Sequence, residues 1–498
     1  MNVNPITRLD YPDPDVIRVE DTYYMVSTTM HFMPGCEILQ SFDLVHWEHV
    51  TYVYETLDHT DAQQLKSGQN IYGQGMWAAS LRYHEGRFYI CFVANDTRKT
   101  YLYTSEKIDG PWKKQLIEGF YHDGSLLFDE DGRSYIVYGN DEIWITELNE
   151  DLTAPKKDGL HRLLVSDHKN PELGYEGSHI QKINGYYYIF LVHSLRDRWM
   201  RTEACFYSDS LEGEFTGGDV LCDDRGYCGQ GVAQGGIVDT PDGKWYAMLF
   251  QDSGAVGRLP ILLPVTWKDH FPFFGQNGHV PEEIEVHSTR PGYIYQPLVG
   301  SDDFCNGLLP RWQFNHDPDP RYYHLDALQG TYTITTREVC TELTQAVNTL
   351  TQRMSYPSCA AEVTVDASAL KEGDVAGLCA LQSCYAAVGI TKHHGKYEVL
   401  MLDKKEDGIL DMTEGTVVES HQMDFRLEAD FCNMKDEARC YYRVNKGDWL
   451  PIGTVHKLYF KLDHFTGCRF GLFCYAAEET GGSACFRDFK YYDVDEIS

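Results

Sequence analysis

The chain has 498 residues, too many for one hydrophobic core, and its 43% hydrophobic and 13% aromatic content, with 34 Tyr and 23 Phe, describes a folded, β-rich protein of more than one domain. Against 43 basic residues stand 75 acidic ones, and the net charge of −32 repels phosphate backbones and anionic lipid, which argues against nucleic acid and membrane surfaces as partners. Neutral sugars suit that charge, and aromatic side chains offer flat apolar faces on which sugar rings stack.

From Met1 to Asp15 there is no basic segment followed by an apolar core, so no secretory signal is expected. No run reaches the roughly 18 apolar residues of a spanning helix. The 15 cysteines, an odd number without a C-x-x-C pair, fit free thiols in a reducing compartment better than a disulfide framework or a zinc site. The expected location is the cytoplasm.

Tyr11 to Ser27, YPDPDVIRVEDTYYMVS, carries the first hairpin signal, a turn between aromatic and β-branched runs. The same signal returns at His84–Ile90, Asp131–Ile136, Asn184–Ile189 and Asp242–Ala247. The closing tyrosines, Tyr24, Tyr89, Tyr135, Tyr188 and Tyr246, are 65, 46, 53 and 58 residues apart, the length of four-stranded blades with variable loops. The repeat predicts an all-β protein whose residues 1–295 form a five-bladed β-propeller.

Counting back twelve residues from the last four tyrosines reaches Trp77, Asp123, Glu176 and Gln234, and counting back eleven from Tyr24 reaches Asp13. In a propeller the first strand of each blade lines the axis, so these positions are expected to meet in one pocket. Asp13 lies between Pro12 and Pro14, which stiffen the backbone on both sides. Met30 to Gly35 follows as an apolar loop at the pocket rim, either a wall for a sugar ring through Met30 and Phe32 or packing against the next blade. Trp77 is the candidate stacking platform, and Arg258, among small residues, is expected to reach the pocket and keep a nearby aspartate ionised.

The repeat stops between Pro281 and Gly300, where turn residues accumulate. Beyond it, short alternating runs such as Ala361–Val365, Tyr397–Met401 and Lys457–Phe460 predict an antiparallel β-sandwich over residues 302–498, which the resemblance given below implies to be concanavalin-like. Asp302 and Asp303 near its start and Asp488 near its end are either ligands of a structural Ca²⁺ or surface carboxylates.

The segments Tyr11-Pro12-Asp13-Pro14-Asp15, Met76 to His84, Asp123-Gly124-Ser125-Leu126, Glu176-Gly177-Ser178-His179 and Gly257-Arg258-Leu259-Pro260, in this order, resemble glycoside hydrolase family 43. The resemblance runs the length of the chain and extends to the β-sandwich of the family's β-xylosidase and α-L-arabinofuranosidase members. It implies Asp13 as general base, Asp123 as the aspartate that tunes the acid, and Glu176 as general acid. It also places Met30, Trp77 and Arg258 in the sugar pocket. Gln234 stands where several β-xylosidase relatives carry His. The implied reaction is exo-cleavage of terminal pentose from xylo- or arabinoxylo-oligosaccharides with inversion. No cofactor is needed for that chemistry, and a homo-oligomer is left open. The competing reading is a propeller that binds sugar without cleaving it. An esterase is disfavoured because no G-x-S-x-G occurs.

Overall fold

The computed structural model describes residues 3–413, 415–461 and 463–493. Five four-stranded antiparallel sheets form the blades of a propeller, with innermost strands Asp15–Val19, Met76–His84, Ser125–Phe128, Glu176–Ile183 and Val232–Asp239. The outermost strands, in the same order, are Glu48–Tyr54, Lys113–Ile117, His161–Ser166, Thr216–Leu221 and Phe271–Phe274. The first two strands of each blade are joined as the sequence signal requires. At Asn184–Gly185 both residues have positive φ, 52° and 85°, which a two-residue turn of right-handed strand twist demands and glycine supplies without strain.

The axis is filled by a charged plug. Asp15 is buried, with Arg82 at 2.7 Å and His179 at 3.1 Å, and Arg82 also donates to Ser125 Oγ and the Leu126 carbonyl. Burial raises the Asp15 carboxyl, but Arg82 and His179 outweigh it and hold the group at about 2. Four blades are thereby tied to one another beneath the pocket.

The second domain is a sandwich of a nine-stranded and a seven-stranded antiparallel sheet, with Phe425, Leu427, Phe470, Leu472 and Phe486 buried between them. The ninth strand belongs to the propeller's own segment. Phe32–Met33 leaves blade one and pairs with Gln313–Asn315 at the edge of the sandwich sheet. Further ties cross this seam. Arg353 lies 2.8 Å from Glu37 and over the Tyr11 ring, and the buried Asp10 carboxylate accepts from the N–H groups of Arg258 and Gly467, both at 2.8 Å. Burial pushes Glu37 up, and Arg353 with His49 brings it down to about 2. The fifteen cysteines are all free thiols.

Candidate active site

The innermost strands begin irregularly where the register positions lie. Pairing shifts between Met76 and Ala79, between Glu176 and His179, and between Ala233 and Gly236, three bulges at matching places. Such a bulge breaks the alternation of side chains and re-aims the residues at the strand's start. Asp13, Asp123 and Gln234 have φ of 52°, 47° and 69°, a conformation that non-glycine residues adopt at some cost.

Asp13 is almost fully buried. Its Oδ1 accepts from Arg258 Nη1 at 2.8 Å, and its Oδ2 accepts from Thr28 Oγ1 at 2.7 Å. Arg258 lies between the rings of Phe250 and Phe465, 4.7 and 4.5 Å from their centroids, and shares Asp252 with Arg201. Asp123 Oδ2 accepts from the Gly177 N–H at 2.9 Å, so the residue following Glu176 is fixed by the neighbouring blade. Gly177 is required there: its φ is 66°, and an added Cβ would lie 2.6 Å from the Gln234 side chain. Glu176 Oε2 accepts from Asn140 Nδ2 at 2.8 Å.

Between the two carboxylates stands His122, its Nε2 3.6 Å from Asp123 Oδ2 and 3.6 Å from Glu176 Oε2. Asp123 first, then Glu176 and Asp13, raise the imidazole to about 9 against the opposing effect of burial. Burial raises Asp123 to about 6; His122 opposes that shift while Glu176 and Asp13 add to it. Burial also pushes Glu176 upward, but the nearby His122 imidazolium, Arg201 and Arg258 outweigh it and hold this carboxyl low. In the free protein the imidazolium and the two guanidinium groups therefore outweigh burial at Glu176. His122, Asp123 and Glu176 have ligand atoms within 4.8 Å of one another, the one such trio among the described residues.

His122, Glu176 and Arg258 line a cavity of about 850 Å³ whose propeller wall also includes Trp77, Asn140, Trp199 and Arg201, while Asp13 and Asp123 are not among its lining residues. The opposite wall comes from the sandwich, through Met434, Asp436, Lys457, Tyr459, Phe460, Lys461 and Phe465. Trp77 packs against Phe465 at a centroid distance of 5.4 Å and is available as a flat wall.

Three other expected sugar contacts lie elsewhere. Phe32 is fully buried under the Arg469 guanidinium, 3.4 Å from its ring centroid, because its strand is captured by the sandwich sheet. Met30 is also buried and bridges backbone to backbone with Met76. Gln234 is buried beneath Gly177, with its N–H given to Glu203, and does not line the cavity. The sandwich aspartates lie near one another, because the backbone of Asp302 pairs with that of Phe489. Asp302 commits one oxygen to the Phe304 N–H and the other to Trp312 Nε1, while Asp303 caps Cys305 and Asp488 is exposed. Among the described residues Asp303 and Asp488 are in no group of three side-chain ligands.

His122, Asn140, Trp199 and Arg201 are site residues that the repeat did not single out. His122 stands next to a register position, a signal that was present; the sandwich wall had none, since it meets the propeller only in three dimensions.

Residues 3–272 match the family model for glycosyl hydrolases family 43, and residues 301–492 match that of the β-xylosidase C-terminal concanavalin A-like domain. The chain belongs to glycosyl hydrolase family 43. A β-xylosidase of Formosa agariphila is 26% identical over 99% of this chain and 89% of its own. A bifunctional GH43-CE protein of Bacteroides eggerthii has a solved structure 42% identical, with a TM-score of 0.92 over 99% of this chain. The chain spans 64% of that bifunctional protein's length. A family 43 enzyme engineered to display both endo-xylanase and exo-arabinofuranosidase activity is 27% identical, with a TM-score of 0.86 over 99% of both chains. For a family 43 glycosidase the chemistry is acid–base hydrolysis of a glycosidic bond. Such hydrolysis needs two carboxyl groups; Asp13 is held by Arg258, and Glu176 stands at the cavity wall.

Proposed function

We propose that the protein removes terminal β-D-xylose or α-L-arabinofuranose from short xylo- and arabinoxylo-oligosaccharides, with Asp13 as general base, Glu176 as general acid and inversion at the anomeric carbon. The observation that carries this reading is the two-walled cavity. Its propeller wall holds Glu176 and Arg258, the latter bonded to Asp13, and the sandwich residues Tyr459, Phe460, Lys461 and Phe465 line the same cavity, an enclosure by two domains that suits a chain end better than the middle of a polymer. The names of the relatives support pentose substrates. Fifteen unpaired thiols support a reducing compartment, where imported fragments rather than polymer are the substrate.

Asp13 polarises water on one face of the sugar while Glu176 protonates the leaving oxygen on the other, and inversion needs carboxyl groups separated by about 6.5–9.5 Å to admit that water. Comparing turnover of nitrophenyl β-D-xylopyranoside and nitrophenyl α-L-arabinofuranoside, together with the products released from xylotetraose, tests the reading. Monosaccharide as the first product is expected. Long oligomers released first from xylan contradict it.

A further inference from the structure

A general acid must carry a proton when substrate arrives, yet Glu176 is the carboxyl that its surroundings hold ionised. The proton has to be kept nearby. His122 Nε2 lies 3.6 Å from the Glu176 and Asp123 carboxylates alike, is buried, and makes no hydrogen bond of full geometry with either, so it is poised between them and locked to neither. Its main chain is fixed by the Gly139 N–H, which donates to the His122 carbonyl at 3.0 Å. The groups that face it are Asp123, Glu176 and Asp13, with the Trp77 ring edge-on at 5.9 Å, while Arg201 and Arg258 act on Glu176.

We propose that His122 is the proton reservoir of the site, passing its Nε2 proton to Glu176 Oε2 when a bound sugar excludes water, so that Glu176 can pass it on to the glycosidic oxygen. The inference rests on the reading of Glu176 as the acid. Excluding water supplies the drive: an imidazolium and a carboxylate become a neutral imidazole and a carboxylic acid, and a site emptied of water favours the uncharged pair. The balance closes over one turnover. His122 gives one proton to Glu176, Glu176 gives it to the departing oxygen, and the attacking water loses one to Asp13. After the sugar leaves, Asp13 releases its proton to solvent and His122 takes one up.

The test is the pH dependence of kcat/KM for xylobiose in the wild type, His122→Asn and His122→Gln, with thermal unfolding of each as a check of folding. In the wild type the alkaline limb reflects loss of the reservoir's proton. In both variants it should move about one pH unit or more toward acid. For a dinitrophenyl pentoside, whose leaving group needs no proton, the limb should not follow. A limb that stays in place in both folded variants overturns the proposal. So does a limb that moves toward alkali, the result expected if His122 only keeps Glu176 ionised. If Glu176→Ala retains the wild-type rate on xylobiose, the acid reading itself fails and the reservoir with it; if that variant is inactive and the limb stays, the reservoir alone is wrong.

Discussion

A carboxylate that activates water has to be held still, and Asp13 is held by a left-handed backbone, the Thr28 hydroxyl and the Arg258 guanidinium. Replacing Asp13 or Glu176 by Ala should lower turnover of xylobiose by a factor on the order of 10² or more without unfolding the protein. Steady-state rates with matched circular dichroism check this, and wild-type-like rates in either variant count against its role. For a leaving group of low pKa, Glu176→Ala should recover much of its rate and Asp13→Ala should not. At this scale the sequence was informative where a repeat existed. Asp13, Asp123 and Glu176 share a register and could be singled out from it, as could Trp77. Gln234 shares that register too, but its bulge turns it beneath Gly177. The charge state of Glu176 was not legible, because it is decided by His122, Arg201 and Arg258, three cations contributed by three different blades.

Single elements carry two buried polar clusters whose behaviour with pH and mutation differs. Asp15, on the innermost strand of blade one, pairs with Arg82 and lies against His179 in the axial plug, so Asp15→Leu strands a largely enclosed guanidinium. A loss of about 3–5 kcal/mol in urea unfolding is expected, as when one partner of a buried pair is removed. A loss below about 1 kcal/mol would mean that Arg82 finds other acceptors, with the Ser125 and Leu126 oxygens the nearest. The second cluster sits where the blade-one loop meets the sandwich. His31 packs against His316 and His464 at ring-centroid distances of 4.8 and 5.1 Å, with Tyr72, Asn315, Asp463 and Arg469 around them. Burial lowers all three imidazoles, His464 to about 3. The folded state therefore keeps them neutral, whereas the unfolded chain binds protons below about 6.5, so stability is full above that pH and falls as pH drops toward the folded values. Each such histidine should cost about 2 kcal/mol at pH 5 relative to pH 7.5. Urea midpoints at the two pH values measure the effect, and His464→Gln should flatten the slope. An unchanged slope in that variant would show that His464 does not titrate on unfolding. Neither cluster was visible beforehand, since His31, His316 and His464 are brought together only by docking of the two domains.

At the scale of the molecule, the sandwich completes the site. Phe465 stacks on the Arg258 guanidinium, and Asp10 bonds the backbones of Arg258 and Gly467 at once, so a loop of one domain sets the arginine of the other. Phe465→Ala removes a cation–π contact worth about 0.5–2 kcal/mol and opens the cavity, and kcat/KM should fall several-fold to about thirtyfold. Phe465→Tyr should keep most of the activity; equal losses in both variants would mean that the stacked ring is not what matters. Hairpin spacing made the propeller legible, and alternation made the sandwich legible. The path of Phe32–Met33 into the sandwich was not, because two apolar residues in a loop carry the same pattern whether they wall a pocket or extend a distant sheet. The central claim is that Asp13 activates water across the sugar from Glu176. Proton NMR of the first minutes of hydrolysis, before mutarotation mixes the anomers, tests it most directly: the account predicts that the first-formed pentose has the anomeric configuration opposite to the substrate, and retention would contradict it.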